Sequence, residues 1–138
     1  MTILILCTGN SCRSQMAESF LKTFDSNLTV YSAGTNPSKE VHPVAIKVMN
    51  ELKIDLNNNY PKSVDQYINS TIDFVITVCG GAQETCPSFT GKVNKNIHIG
   101  FDDPADATGT EDEILNEFRR IRDEILVSFF KFYQTNIK

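Results

Sequence analysis

Two stretches of the chain, residues 2–6 and 74–78, run on in apolar residues without the polar alternation of a strand wetted on one face. Strands covered on both faces read this way, and such strands belong to parallel sheets sandwiched between helices. Weaker strand candidates lie at 28–32 and 97–99. Helical spacing fills the intervals. Met16, Ala17, Phe20, Leu21 and Phe24 recur after Arg13. Pro43 suits a first helical position and is followed by Val44, Ala45, Val48, Met49 and Leu52. A short helix is expected near 63–68. Thr110 and Glu113 have the spacing of a capping box. They open a long amphipathic helix with Ile114, Phe118, Ile121, Ile125 and Phe129 on its apolar side. The alternation predicts right-handed βαβ units. The expected fold is a three-layer α/β domain, a four-stranded parallel sheet with helices on both faces. At 138 residues the chain reads as one domain spanning 1–138.

Charge and composition exclude several classes. Thirteen basic residues face 17 acidic ones, a net of −4, which disfavours a nucleic-acid partner. Seven of the acidic residues fall between Asp102 and Glu117, where no Lys or Arg occurs. The remainder carries 13 basic and 10 acidic residues, a net of +3, compatible with an anion site elsewhere. No apolar run approaches the ~18–20 residues of a membrane span. No secretion signal is recognisable, so the expected compartment is the cytoplasm. In that reducing compartment the four cysteines, at 7, 12, 79 and 86, are core residues, metal ligands or catalysts rather than a disulfide framework. Four residues separate the first pair and six the second, a poor match to zinc spacing, so no metal is expected.

The segment Cys7-Thr8-Gly9-Asn10-Ser11-Cys12-Arg13-Ser14 links the first strand to the first helix. In parallel α/β sheets, ligands sit beyond the carboxyl ends of the strands. Cys7 stands at the end of the first strand and Cys79 at the end of the third. Gly9 and Asn10 tolerate positive φ, so the loop can turn its N–H groups inward as an anion nest. The helix N-terminus adds favourable potential, and Arg13 offers a planar fork of donors to a tetrahedral oxyanion. A cysteine at the rim of such a nest is expected to have a lowered pKa, and Ser14 could donate to its thiolate. Thr8, Gly9, Asn10, Ser11, Cys12, Arg13 and Ser14 are thus the substrate-binding candidates, with Cys7 as nucleophile.

Cys-x5-Arg-Ser near the N-terminus resembles the low-molecular-weight protein tyrosine phosphatase fold, and more closely its thioredoxin-coupled arsenate reductase branch. The resemblance is carried by residues 7–18, by Tyr31-Ser32-Ala33-Gly34, by Cys79 with Cys86-Pro87, by Gly100-Phe101-Asp102-Asp103-Pro104-Ala105 and by Arg122-Asp123-Glu124-Ile125. It departs from the family's usual Trp before Gly-Phe-Asp-Asp-Pro, where Ile99 stands, and residues 80–85 are unusually rich in Gly. The resemblance implies a phosphatase-I-like fold and reduction of arsenate to arsenite by Cys7, Cys79 and Cys86, with Arg13 and Asp103 assisting. It implies successive Cys7–Cys79 and Cys79–Cys86 disulfides, no cofactor and thioredoxin as reductant. Phosphate and sulfate would compete with arsenate. Nothing demands more than a monomer. Some family members hold potassium. Asn10, Glu18, Ser32 and Asp65 would be its ligands here, and that site is left open.

The alternative is a low-molecular-weight tyrosine phosphatase using Cys7, Arg13 and Asp103, with Cys79 and Cys86 as a redox switch. Tyrosine phosphatases of this fold usually place aromatics after the Asp-Pro pair, and Ala105-Asp106 follows here. A non-catalytic oxyanion-binding or redox-sensing module is a third reading, for which a cysteine at the rim is unnecessary. Cys12 is expected to pack structurally beneath the loop, His42 to cap a helix and His98 to serve structure. Asp102 either orients the acid loop or is an exposed spacer.

Overall fold

A computed structural model describes the backbone of residues 1–138 and every side chain except that of Thr85. The elements follow the order β1 (Thr2–Cys7), α1 (Arg13–Phe24), β2 (Thr29–Gly34), α2 (Pro43–Asn50), a 3-10 turn (Val64–Gln66), β3 (Ile72–Thr77), α3 (Gly80–Thr85), β4 (Val93–His98), a second 3-10 turn (Pro104–Asp106) and α4 (Glu111–Asn136). The sheet order is β2-β1-β3-β4, and all three pairings are parallel. The chain leaves β1 toward β2 on one side and later returns to β3 on the other. The strand order therefore reverses at β1, where an α/β sheet opens its ligand crevice.

The β1 pattern explains its place. Ile3, Leu4, Ile5 and Leu6 are all fully buried. Successive strand side chains point to opposite faces, so both faces of the sheet are covered. The edge strand β4 is different. Its Asn94, Lys95 and Asn96 are exposed, so the sequence shows no apolar run. That is why it reads as only 97–99 by pattern, while the ladder runs from Val93 to His98. The expected 28–32 strand lies one to two residues further on, and the 74–78 run is the last four residues of β3 with one residue beyond it. Only a 3-10 turn forms within 63–68. Leu52 falls beyond the end of α2.

Helix α4 packs against both α1 and α2. Its start is fixed by the expected capping box: Glu113 N–H donates to Thr110 Oγ1 at 3.1 Å, and Thr110 N–H to Glu113 Oε1 at 3.3 Å. Phe118, Ile121, Ile125 and Phe129 are fully buried along its inner side. Ile114 is only half-buried, and Leu115 takes the core position in that first turn. No helix among the described residues is long and apolar enough to cross a membrane.

One polar cluster pins α4 to the end of α2. Buried Arg122 donates from Nη1 to Val48 O at 2.9 Å and to Glu51 Oε1 at 2.8 Å. Arg119 grips the same carboxylate through Nε and Nη2. Hydrogen bonds from Arg119, then Arg122, hold the Glu51 pKa down at about 2. A depressed carboxylate contributes stability above its unfolded pKa, near 4.3, and loses it as pH falls toward 2. Glu51→Gln is therefore expected to flatten the acid limb of stability between about pH 5 and 2. Arg122→Met strips Val48 O of its partner and should cost about 2 kcal/mol at neutral pH. Urea unfolding at several pH values checks both.

Candidate active site

The loop after β1 is shaped by where its carbonyls go. Cys7 O accepts from Thr35 N, Thr8 O from Asn36 N, Gly9 O from Ser38 N and Ser11 O from His42 N, at 2.9–3.1 Å. Cys12 O starts the α1 ladder with Met16 N, and Asn10 O accepts from Gln15 Nε2. Across a trans peptide the C=O and the following N–H point in opposite directions. Turning these six carbonyls outward therefore turns the N–H groups of residues 8–13 into the concavity. Asn10 provides the bend at φ 53 and is fully buried. Its Oδ1 accepts from Lys62 N at 2.9 Å and Gln15 Nε2 at 3.1 Å, and its Nδ2 donates to Ser14 Oγ at 2.8 Å. Gly9 does not share the positive φ expected of it. A Cβ there would lie 2.6 Å from Ser38 Oγ, so its smallness serves close packing. Gly34 serves the same end, since a Cβ on it would meet Thr8 O at 2.5 Å.

Arg13, the first residue of α1, is 9% exposed and stands across the loop. Its Nη1 donates to Phe101 O at 2.9 Å, and its Nη2 pairs with Asp103 Oδ2 at 3.3 Å. Its buried Nε has no partner among the described residues. An unpaired buried guanidinium N–H is costly unless something accepts from it, and an oxyanion in the cradle would. The enclosed cavity is about 360 Å³. Its lining includes Cys7, Thr8, Gly9, Ser11, Cys12, Arg13, Asp103 and Ala105. Asp103 opens the second 3-10 turn, where its Oδ1 accepts from Ala105 N.

Cys7 lines this cavity, and Cys79 stands beside it. Both are buried, and their side chains share a hydrogen bond, so they titrate as a pair. The sequence places the depressed pKa on Cys7. The structure places it on Cys79, whose thiol is drawn well below its ordinary value. Its causes are, first, the Cys7 thiol, then the Thr8 hydroxyl 3.4 Å away, Ala82 N–H at 3.3 Å and the Arg13 charge. Cys7 is pushed up, first by donating to Cys79 and then by burial, against Arg13 and the Thr8 N–H. One negative charge is thus shared by two sulfurs. Ser14 is engaged by Asn10 rather than by Cys7.

Cys79 is the N-cap of α3 and Cys86 its C-cap. Cys86 is half-exposed, with burial raising its pKa, and its Sγ donates to Pro87 O at 3.7 Å. Cys12 is buried on the cavity wall, and desolvation pushes its thiol up to about 11. All four cysteines are free thiols. His42 caps α2, its Nδ1 accepting from Val44 N, and His98 bonds Thr77 Oγ1 within the sheet. Asp102 pairs with Arg120 of α4.

Two of the four potential potassium ligands are already engaged. Asn10 Oδ1 is taken as described, and the Glu18 carboxylate is paired with Lys22 Nζ at 2.8 Å. A cation there would have to displace an ammonium group, although buried Ser32 Oγ lacks a partner among the described residues. Among the described residues no three His, Cys, Asp or Glu side chains form a metal cluster.

Two lining residues, Asn36 and Ser38, escape sequence reasoning. They come from the segment that satisfies the loop carbonyls, and an exposed Asn-Pro-Ser run carries no pattern of its own. The network of Gln15, Asn59 and Lys62 behind Asn10 is equally silent in sequence, since two of its contacts are made by backbone groups.

Thr8→Val removes the hydroxyl from the Cys79 sulfur. The Cys79 pKa is expected to rise by about one unit, the order of one hydrogen bond to a charged group. Thiolate absorbance against pH in a Cys86→Ser background would measure it, and an unmoved titration would assign the shift to Cys7 and Ala82 alone.

Residues 2–136 match the family model of low molecular weight phosphotyrosine protein phosphatases. An arsenate reductase of Bacillus cereus (strain G9842) is 47% identical across 97% of this chain and 95% of its own. An arsenate reductase of Bacillus subtilis (strain 168) is 47% identical across 89% of this chain and 88% of its own. Among solved structures, an arsenate reductase in the phosphate binding state superposes with a TM-score of 0.80 at 28% identity, covering 96% of each chain. The solution structure of a low molecular weight protein tyrosine phosphatase from Bacillus subtilis shares the fold, at a TM-score of 0.78 and 24% identity over the whole of both chains. On the match across nearly its entire length, the chain belongs to the low molecular weight phosphotyrosine protein phosphatase family.

Proposed function

We propose that this protein is an arsenate reductase that passes oxidising equivalents from Cys7 to Cys79 to Cys86 and is regenerated by thioredoxin. The observation that carries the reading is a second cysteine beside the first: Cys79 shares a hydrogen bond with Cys7 and is also contacted by the Thr8 hydroxyl at 3.4 Å and the Ala82 N–H at 3.3 Å. Ester hydrolysis through a phosphocysteine has no use for a second nucleophile against the first. Reduction of a cysteine-bound oxyanion requires one. The relatives named arsenate reductase support the same substrate.

The steps balance as follows. Arsenate enters the nest and accepts from the inward N–H groups and Arg13, including its unpaired Nε. The Cys7 proton passes across the shared hydrogen bond to Cys79 as Cys7 Sγ attacks arsenic. Asp103 passes a proton of the incoming hydrogen arsenate to the departing oxygen, which leaves as water. After losing that proton to solvent, the Cys79 thiolate attacks Cys7 Sγ. The sulfur–arsenic bond breaks, its electron pair stays on arsenic, and arsenic(V) becomes arsenic(III), released as arsenite. A Cys7–Cys79 disulfide remains. The Cys86 thiolate then attacks Cys79 Sγ, freeing the Cys7 thiolate and leaving a Cys79–Cys86 disulfide. Two thiols of thioredoxin reduce that bond and are themselves oxidised.

The last exchange demands motion. Cys79 and Cys86 cap opposite ends of α3, seven positions apart, or about 10.5 Å of helical rise. A disulfide needs Cα atoms within about 7 Å. Helix α3 must therefore unwind, and Gly80 and Gly81 in its first turn lower the cost.

The test is arsenate-dependent NADPH oxidation with thioredoxin and thioredoxin reductase, run beside single variants. Sustained turnover is expected from the parent and at most one turnover from Cys86→Ser. Cys79→Ser should release no arsenite. Survival of phosphate-ester hydrolysis alone, undiminished in Cys79→Ser, would instead establish the tyrosine phosphatase reading with a redox switch. Hydrogen exchange provides a second check. Oxidation to the Cys79–Cys86 disulfide is expected to cost residues 80–90 most of their protection, and unchanged protection would contradict the unwinding step.

A further inference from the structure

We propose that Asn36 and Ser38 form a polar collar at the mouth of the cradle that selects an unesterified oxyanion over a phosphate ester. The inference rests on the oxyanion reading of the Cys7 site and names what decides its substrate class. Both residues line the cavity, on the side of the loop contributed by the segment after β2. Their positions are rigid because their backbone N–H groups donate to Thr8 O and Gly9 O, each at 2.9 Å. Ser38 Oγ lies directly against the Gly9 backbone, within 2.6 Å of where a Cβ would stand. Unlike the other polar groups of the loop, the Asn36 amide and the Ser38 hydroxyl have no hydrogen-bonding partner among the described residues. They are exposed donors at the cavity mouth, on a backbone held in place, and committed to nothing among the described residues.

A tetrahedral oxyanion has four oxygens. The inward N–H groups and Arg13 serve the deep ones, and the remaining oxygen faces the mouth, where Asp103 stands on one side. In arsenate or phosphate that outer oxygen is a bare or protonated acceptor, able to take hydrogen bonds from Asn36 Nδ2 and Ser38 Oγ. In an aryl ester it carries the ring, which would lie over these two side chains, strip their water and return no hydrogen bond. Sites built to hydrogen-bond a group discriminate strongly against the analogue lacking it, because their own polar groups are left unpaired. The rest of the mouth offers the ring no compensation, since Ala105 stands beside Asp103 and no aromatic side chain lines the cavity.

The experiment compares the parent with the Asn36→Ala/Ser38→Ala double variant. Three quantities are measured: inorganic phosphate affinity by titration calorimetry, arsenate KM and kcat in the coupled assay, and kcat/KM for 4-nitrophenyl phosphate. The expected result is phosphate affinity weakened about tenfold, the order of one charge-assisted hydrogen bond. Arsenate KM rises in parallel, kcat moves less, and ester hydrolysis holds or improves. Ser38→Thr, which keeps the hydroxyl, should recover part of the affinity, separating the collar from a disturbed loop. Unchanged phosphate affinity in the double variant overturns the proposal. So does a parallel loss of phosphate and ester binding, which would show that the collar does not discriminate. If the parent reduces no arsenate while the double variant still loses phosphate selectively, the arsenate reading fails and the collar stands.

Discussion

The whole site hangs on a buried asparagine in a left-handed conformation. Asn10 is one of two non-glycine residues at positive φ in the chain, and its bend reverses the loop between β1 and α1. Left alone, an asparagine pays for that conformation. Here Lys62 N–H and Gln15 Nε2 donate to the carbonyl end of the side chain, and its amide end donates to Ser14 Oγ. Gln15 in turn donates to Tyr60 O and accepts from Asn59 Nδ2. Low dielectric strengthens each bond of such a connected network. Four of the loop carbonyls then find their partners in residues 35–42 and two in α1, and the N–H groups have only one direction left. The anion nest is thus a consequence of where the carbonyls are held, and it persists whatever occupies it.

From that constraint the relation between the cysteines follows. Parallel pairing sets Cys7 opposite Gly34 and Leu6 opposite Thr77, so the ends of β1 and β3 rise side by side. Val78 N then donates to Leu6 O, carrying the ladder one step further and delivering Cys79 beside Thr8. Gly81 completes the approach. A Cβ on it would lie 2.8 Å from Thr8 Oγ1, the hydroxyl that holds the Cys79 sulfur. Thr8 therefore faces two ways, its N–H toward Cys7 and its hydroxyl toward Cys79. The same loop that shapes the nest brings the second sulfur to the first.

What was legible in the sequence was whatever depends on burial or on side-chain chemistry at fixed spacing. The unbroken run at 3–6 gives away a central parallel strand, and Thr110 with Glu113 gives away the start of α4. Cys7, Arg13 and Asp103 are legible because a nucleophile, a guanidinium and a carboxylate advertise their chemistry, and the structure gathers them around one cavity. Backbone recognition is illegible. Strand β4 earns its place through hydrogen bonds on one edge and keeps polar side chains on the other, so no periodicity betrays it. Asn36 and Ser38 contact the loop through N–H groups that any residue but proline could supply. The charge distribution between Cys7 and Cys79 is illegible for a related reason: the Cys7 thiol, the Thr8 hydroxyl and the Ala82 N–H gather around the Cys79 sulfur only once strands about seventy residues apart lie side by side.

The proposed relay also explains how a phosphatase scaffold could be turned to redox chemistry with few changes. The nest, Arg13 and Asp103 serve attack by Cys7 on any tetrahedral oxyanion, and none of them distinguishes arsenic from phosphorus. The elements determine the outcome. A sulfur–phosphorus adduct is resolved by water, because phosphorus does not accept an electron pair to become a stable lower oxoanion under these conditions. Arsenic does, provided a thiolate can reach the sulfur that holds it. In the proposed relay the cysteine at the end of β3, hydrogen-bonded to Cys7, would supply that thiolate. On the same reading the half-exposed Cys86 that caps the short α3 would carry the oxidation from a buried pair to one that another protein can reach. The helix between Cys79 and Cys86 holds them too far apart to bridge until it unwinds, which would make the surface pair the last one formed.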